Sequence, residues 1–262
     1  MRPNSEMPIA DCRMEREPVV PANSSFFILH SAFTLWQLAD SAFPTGGFAH
    51  SAGLEAAWQH GEVRNRNELL SFVEAGLRQL GRAALPFVNA AHCEPGRVQE
   101  FDALCEAFTT NHVANRASRA QGKAFLSAVQ RIFTVGQASR LSRRSVAKAD
   151  LSPSKNLSNA VLQFNHFAPV FGCAMCHLEI PRETTLQLFF FNHLRGLMAA
   201  AVRLNIVGPM EAQTLQRQLT PVAEEMLNRC ESLTLDDIAQ TSPLLDLWQG
   251  AQDRLYSRLF QS

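Results

Sequence analysis

Between Leu186 and Leu204 the side chains Leu186, Phe189, Phe190, Leu194, Leu197 and Leu204 recur at the spacing of one helical face. A stripe that long aligns on one side only if the backbone is an α-helix, and it must then be buried against other helices. The same spacing returns elsewhere. Leu70, Val73, Leu77 and Leu80 step along one face, with Asn67 as the expected N-cap and Pro86 as the expected break. A helical stretch is expected over about 97–135, carrying Phe101, Leu104, Phe108, Phe125, Val129, Ile132 and Phe133. Gly208-Pro209 reads as the end of the long striped helix. Leu215, Leu219, Val222, Met226 and Cys230 form another face with a kink expected at Pro221, and Ser242-Pro243 reads as an N-cap followed by proline at the first helical position. Strand signals are almost absent. The expectation is an all-α fold, a single multi-helix bundle of about ten helices spanning 26–262.

Two segments fall outside that pattern. Residues 1–25 hold Pro3, Pro8, Pro18 and Pro21 among mixed charges, which predicts a disordered N-terminal tail. Residues 138–159 are rich in serine, with five basic residues against the single acid Asp150, which predicts a flexible basic loop.

Charge and cysteine content narrow the function classes. Lys plus Arg is 24 and Asp plus Glu is 24 in 262 residues, so there is no basic excess of the kind nucleic-acid binding requires. A net charge near zero favours association with proteins. No run reaches the roughly 18 apolar residues of a membrane span. The apolar run 26–39 is interrupted by His30 and Gln37 and preceded by acidic residues, so it predicts a buried first helix rather than a signal peptide. Six scattered cysteines predict a reduced, cytoplasmic protein. Eighteen phenylalanines exceed what one helical core calls for, so some are expected at interfaces.

Catalytic signatures are missing. No phosphate-binding glycine pattern occurs; the glycines of "PTGGFAHSAG" (44–53) read as a tight turn with positive φ. The eight histidines form no metal-binding pair spacing, and there is no nucleophile elbow. The remaining candidate is Cys173, Cys176 and His177 in "GCAMCH". Haem attachment would need export, and a thioredoxin-type pair would need a preceding strand. On a helix the three residues share a face and could hold a soft metal. Alternatively, Gly172, Cys173, Ala174 and Cys176 are small residues that let two helices pack closely.

The stretch "LADSAFPTGGFAHSAGLEAAWQHGEV" (38–63) resembles the N-terminal signature of the UreF-type urease accessory proteins. Pro44, Gly46, Gly47, Phe48, His50, Ser51, Gly53, Leu54 and Glu55 carry the likeness. It continues through "NRASRAQGKAFL" (115–126), "NHFAPVFG" (165–172), "FNHLRGLMAAAVRLNIVGP" (191–209) and the terminal "LYSRLFQS" (255–262). The resemblance implies an all-α homodimer without enzymatic activity or a permanently bound cofactor. It further implies assembly with a D/H-type accessory subunit and a G-type nickel GTPase on apo-urease, coupling the GTPase to nickel insertion. Gly46, Gly47, Phe48, His50, Glu55 and Arg195 would then serve as interface residues. Tyr256, Arg258, Leu259, Phe260 and Ser262 belong to the tail that the family orders against the D-type partner. Truncating 255–262 is expected to weaken recruitment without disturbing the fold. Gln252-Asp253 stands where relatives often have His-Glu.

Overall fold

A computed structural model describes residues 32–141 and 162–262. The N-terminal tail and residues 142–159 of the basic loop lie outside the described residues. A first helix, α1, covers 32–39. Nine more follow: α2 (Leu54–Gln59), α3 (Arg66–Gln79), α4 (Leu85–Cys93), α5 (Val98–Phe108), α6 (His112–Leu141), α7 (Phe167–His177), α8 (Arg182–Arg203), α9 (Pro209–Cys230) and α10 (Pro243–Ala251). No strand occurs among the described residues. The all-α bundle of about ten helices expected from the periodicity is the observed fold. None of the described helices is long and apolar enough to cross a membrane.

The striped helix behaves as its sequence dictates. Leu186, Phe189, Phe190, Leu194, Leu197 and Leu204 are all buried. Phe125 of α6, Phe167 and Phe171 of α7 and Phe189 of α8 meet with ring centroids 5.3–5.8 Å apart. Of the phenylalanines described, Phe33, Phe48 and Phe191 are the exposed ones, and the others are buried or partly buried.

Several local expectations shift. The N-cap of α3 is Asn65, whose side chain accepts from the amides of Asn67 and Glu68, and the buried face is Leu69, Phe72, Val73, Gly76 and Leu77. Pro86 does not break the chain; a π-helical segment, Leu80–Ala84, leads into α4 with Pro86 in its first turn. A proline in that turn removes an amide that would lack an intrahelical partner anyway. The stretch over 97–135 is two helices, because Asn111 caps a new start by accepting from Val113 and Ala114. Gly208 and Pro209 begin α9 rather than end α8, and the left-handed residue closing α8 is Asn205 at φ 56°. Residues 138–141, assigned to the basic loop, continue α6. In α1 only one side is buried: Leu38 is inside, while Phe33 and Trp36 face out.

Candidate functional site

The motif of residues 44–55 and the C-terminal segment meet on one side of the bundle. Gly46 takes φ 72° and Gly53 φ 87°, a region that favours glycine, whereas Gly47 does not have positive φ. These turns deliver Glu55 into the first turn of α2, fully buried. A buried carboxylate needs several donors to offset its lost hydration. Glu55 finds them in the tail: the amide of Leu259 at 2.6 Å, the amide of Phe260 at 3.1 Å and the Gln252 side-chain amide at 2.6 Å.

Further bonds extend this into a short ladder. The Ser51 amide donates to Ser262 O at 2.6 Å, the Gln261 amide to Ala49 O at 2.8 Å, and the Gln59 side chain to Ser257 O at 2.9 Å. His50 Nδ1 is hydrogen-bonded to the Ser262 hydroxyl. Burial, aided by the nearby Arg116 cation, pushes the His50 imidazole down to about 4. It is therefore neutral in this contact at neutral pH.

Arg203 of α8 joins the two segments a second time. Its guanidinium lies 4.0 Å from the Phe48 ring centroid and 4.1 Å from that of Phe260. It also donates to Phe48 O at 2.6 Å and Leu259 O at 3.2 Å. A guanidinium between two aromatic faces combines cation–π attraction with planar stacking. Nothing in the sequence singled Arg203 out beyond its place in a family block.

At the departure from the family pattern, the Gln252 side-chain nitrogen and the Asp253 carboxylate have clear partners, while Gln252 Oε1 has none. Gln252 is fully buried on Glu55. Asp253 accepts from Arg116 at 2.7 Å, Arg258 at 3.1 Å and His112 at 3.2 Å. The Arg116 hydrogen bond leads in holding its carboxyl below the usual carboxylate range. The tail is thus packed against the rest of the structure within a single chain, with Phe260 and Ser262 buried.

Among the side chains left exposed here are Phe48, Tyr256, Leu259 and Arg258, while Phe260 and Ser262 are buried. Behind them lies a cavity of about 570 Å³ whose lining includes Gly46, His50, Asn192, His193, Phe260 and Ser262. Asn192 Oδ1 and His193 Nε2 have no hydrogen-bond partner there. Arg195 lies apart from the tail contacts, donating to Ala39 O at the end of α1 and packing 5.7 Å from the Phe191 ring centroid. It makes a carbonyl contact rather than the helix-to-helix ion pair that such a residue could form.

The motif at 172–177 is a helix contact. A Cβ on Gly172 would lie 2.2 Å from Val88 O, so α7 and α4 touch along their backbones. Cys173 and Ala174 are buried in that contact. His177 Nδ1 is 2.8 Å from Cys173 O, which commits that nitrogen to its own helix. Among the described residues no group of three or more His, Cys, Asp or Glu is arranged to hold a metal ion.

One polar cluster escaped the sequence reading. Asp102 accepts the amides of Phe164, Asn165 and His166 at 2.7–3.0 Å. The buried His166 ring lies 2.7 Å from Glu106 and 3.1 Å from Ser118 Oγ. The Ser118 oxygen also accepts the Phe167 amide. The arrangement clamps the entry to α7 and leaves no free serine nucleophile.

Comparison with known proteins places the chain in a family. The family model described as UreF matches residues 63–220. A urease accessory protein F of Oryza sativa subsp. indica is 39% identical, over 95% of this chain and 91% of its own length. That of Arabidopsis thaliana is 36% identical, over 95% of this chain and 98% of its own. A urease accessory protein UreF of Bacillus sp. (strain TB-90) is 28% identical, over 89% of this chain and its full length. By this breadth of likeness the chain belongs to the UreF family of urease accessory proteins.

Proposed function

We propose that this chain is a non-enzymatic, homodimeric, cytoplasmic scaffold for urease maturation. In this reading it joins a D/H-type accessory subunit and a G-type nickel GTPase on apo-urease. Nickel is cargo handled by the whole assembly, and this chain couples the GTPase to its delivery. Family membership over most of the chain is the observation that carries the reading. The names of the relatives describe accessory proteins.

The reading extends to a docking role for the joined motif and tail, supported by the side chains they leave exposed. Phe48, Leu259 and Tyr256 are exposed apolar or aromatic side chains on backbone held by Arg203, Glu55 and Gln59. Rigidly presented aromatics and arginines are the residue types that dominate binding energy at interfaces. Pull-down with the D/H-type subunit tests this. Phe48→Ala/Leu259→Ala is expected to weaken capture at least about tenfold while helical content is retained. Unchanged capture would remove this surface from the interface.

A further inference from the structure

The contact that absorbs Gly172 also brings together two cysteines that the accessory function does not use. Cys93 is the last residue of α4 and is exposed; Cys176 lies in the last turn of α7 and is half-buried. Gly172 holds the two helices so closely that a Cβ there would lie 3.1 Å from the His92 amide nitrogen as well as 2.2 Å from Val88 O. Cys176 is one helical turn beyond Gly172, and Cys93 directly follows His92. Two other contacts tie the same ends together: Cys173 Sγ lies 3.8 Å from Pro95 O, and His92 Nε2 lies 2.9 Å from Ile180 O. After burial, the charge of Cys93 is the next cause raising the Cys176 thiol.

We infer that Cys93 and Cys176 form an oxidative modification site, closing to an intramolecular disulfide between the ends of α4 and α7 on exchange with a small-molecule disulfide such as oxidised glutathione. The exposed Cys93 thiolate attacks one sulfur of the reagent. A mixed disulfide forms on Cys93, and the first glutathione thiolate leaves and takes up a proton. The Cys176 thiolate then attacks the Cys93 sulfur, forming the internal S–S bond and expelling the second glutathione. Two protein thiols are oxidised and one small disulfide is reduced to two thiols, so electrons and protons balance. Access selects Cys93 for the first step, and proximity selects Cys176 for the second. Cys173 is excluded as the resolving thiol because burial pushes it up to about 12 and it packs inside the helix contact.

The test is incubation of the full chain with oxidised glutathione, alkylation of the remaining thiols and peptide mapping without reduction. The expected product is a single chain two hydrogens lighter before alkylation, with Cys93 and Cys176 peptides linked and no glutathione retained. Dithiothreitol reverses it, Cys93→Ser prevents it, and Cys176→Ser stops it at the glutathione adduct on Cys93. A stable adduct on Cys93 of the unaltered chain with Cys176 still alkylated would overturn the assignment. So would a Cys173–Cys176 link, a link between two chains, or no reaction at all.

Discussion

Glu55 accepts the backbone amides of Leu259 and Phe260, one on each carboxylate oxygen, at 2.6 and 3.1 Å. A residue in the first turn of α2 thereby fixes the chain more than two hundred residues later. Glu55→Ala removes the acceptor and leaves two amides and the Gln252 side chain without it. The expected loss is about 3 kcal/mol, read as a lower urea midpoint. Glu55→Gln keeps one oxygen but turns an NH₂ group toward amide donors, so about 2 kcal/mol is expected.

Arg203→Ala should free the tail by another route. It removes the cation between Phe48 and Phe260 and two hydrogen bonds to carbonyls. A loss of about 2 kcal/mol and faster carboxypeptidase trimming of the last residues are expected. Arg203→Lys should recover only part of it, because an ammonium cannot stack as a plane.

Gly172→Ala should be among the most damaging single methyl additions in the chain. The obstacle is the Val88 carbonyl of a neighbouring helix, which cannot rotate aside. A cost of about 3 kcal/mol or more is expected, seen as loss of cooperative thermal unfolding. Gly122→Ala, where the Asn165 carbonyl blocks the added methyl in the same way, should behave alike.

The bundle itself was legible because burial of a long helix imposes periodicity. All six side chains of the stripe from Leu186 to Leu204 are buried as their spacing requires. Exact starts and stops were not legible. Asn65 and Asn67 are equally good caps by residue type, and Gly-Pro reads both as a stop and as a start. The π segment depends on distant packing: a Cβ on Gly81 would lie 3.0 Å from Cys230 Sγ and 3.4 Å from the Phe190 ring. The motif and the tail were each visible as blocks. Their union was not, because the donors to Glu55 are backbone amides, which carry no sequence signature. Glu55 in "GLEAAW" looks like any first-turn acid until the tail is placed on it.

Acidification should loosen the same region. His50 and His193 are each pushed down to about 4, chiefly by burial. The unfolded chain binds protons at these histidines below about pH 6.5, whereas the folded chain does not until about pH 4. The stability these two histidines contribute is therefore fully present above about pH 6.5 and falls as the pH drops toward 4. Urea midpoints measured across that window should decline on acidification. His50→Gln should flatten the slope, and a slope unchanged in both His50→Gln and His193→Gln would remove these groups as its source.

The most direct test of the accessory role is recovery of urease activity from apo-urease supplied with nickel and the D/H-type and G-type subunits, with and without this chain. Activation should depend on the chain and drop several-fold with Phe48→Ala/Leu259→Ala. Equal activation in its absence would contradict the scaffold reading.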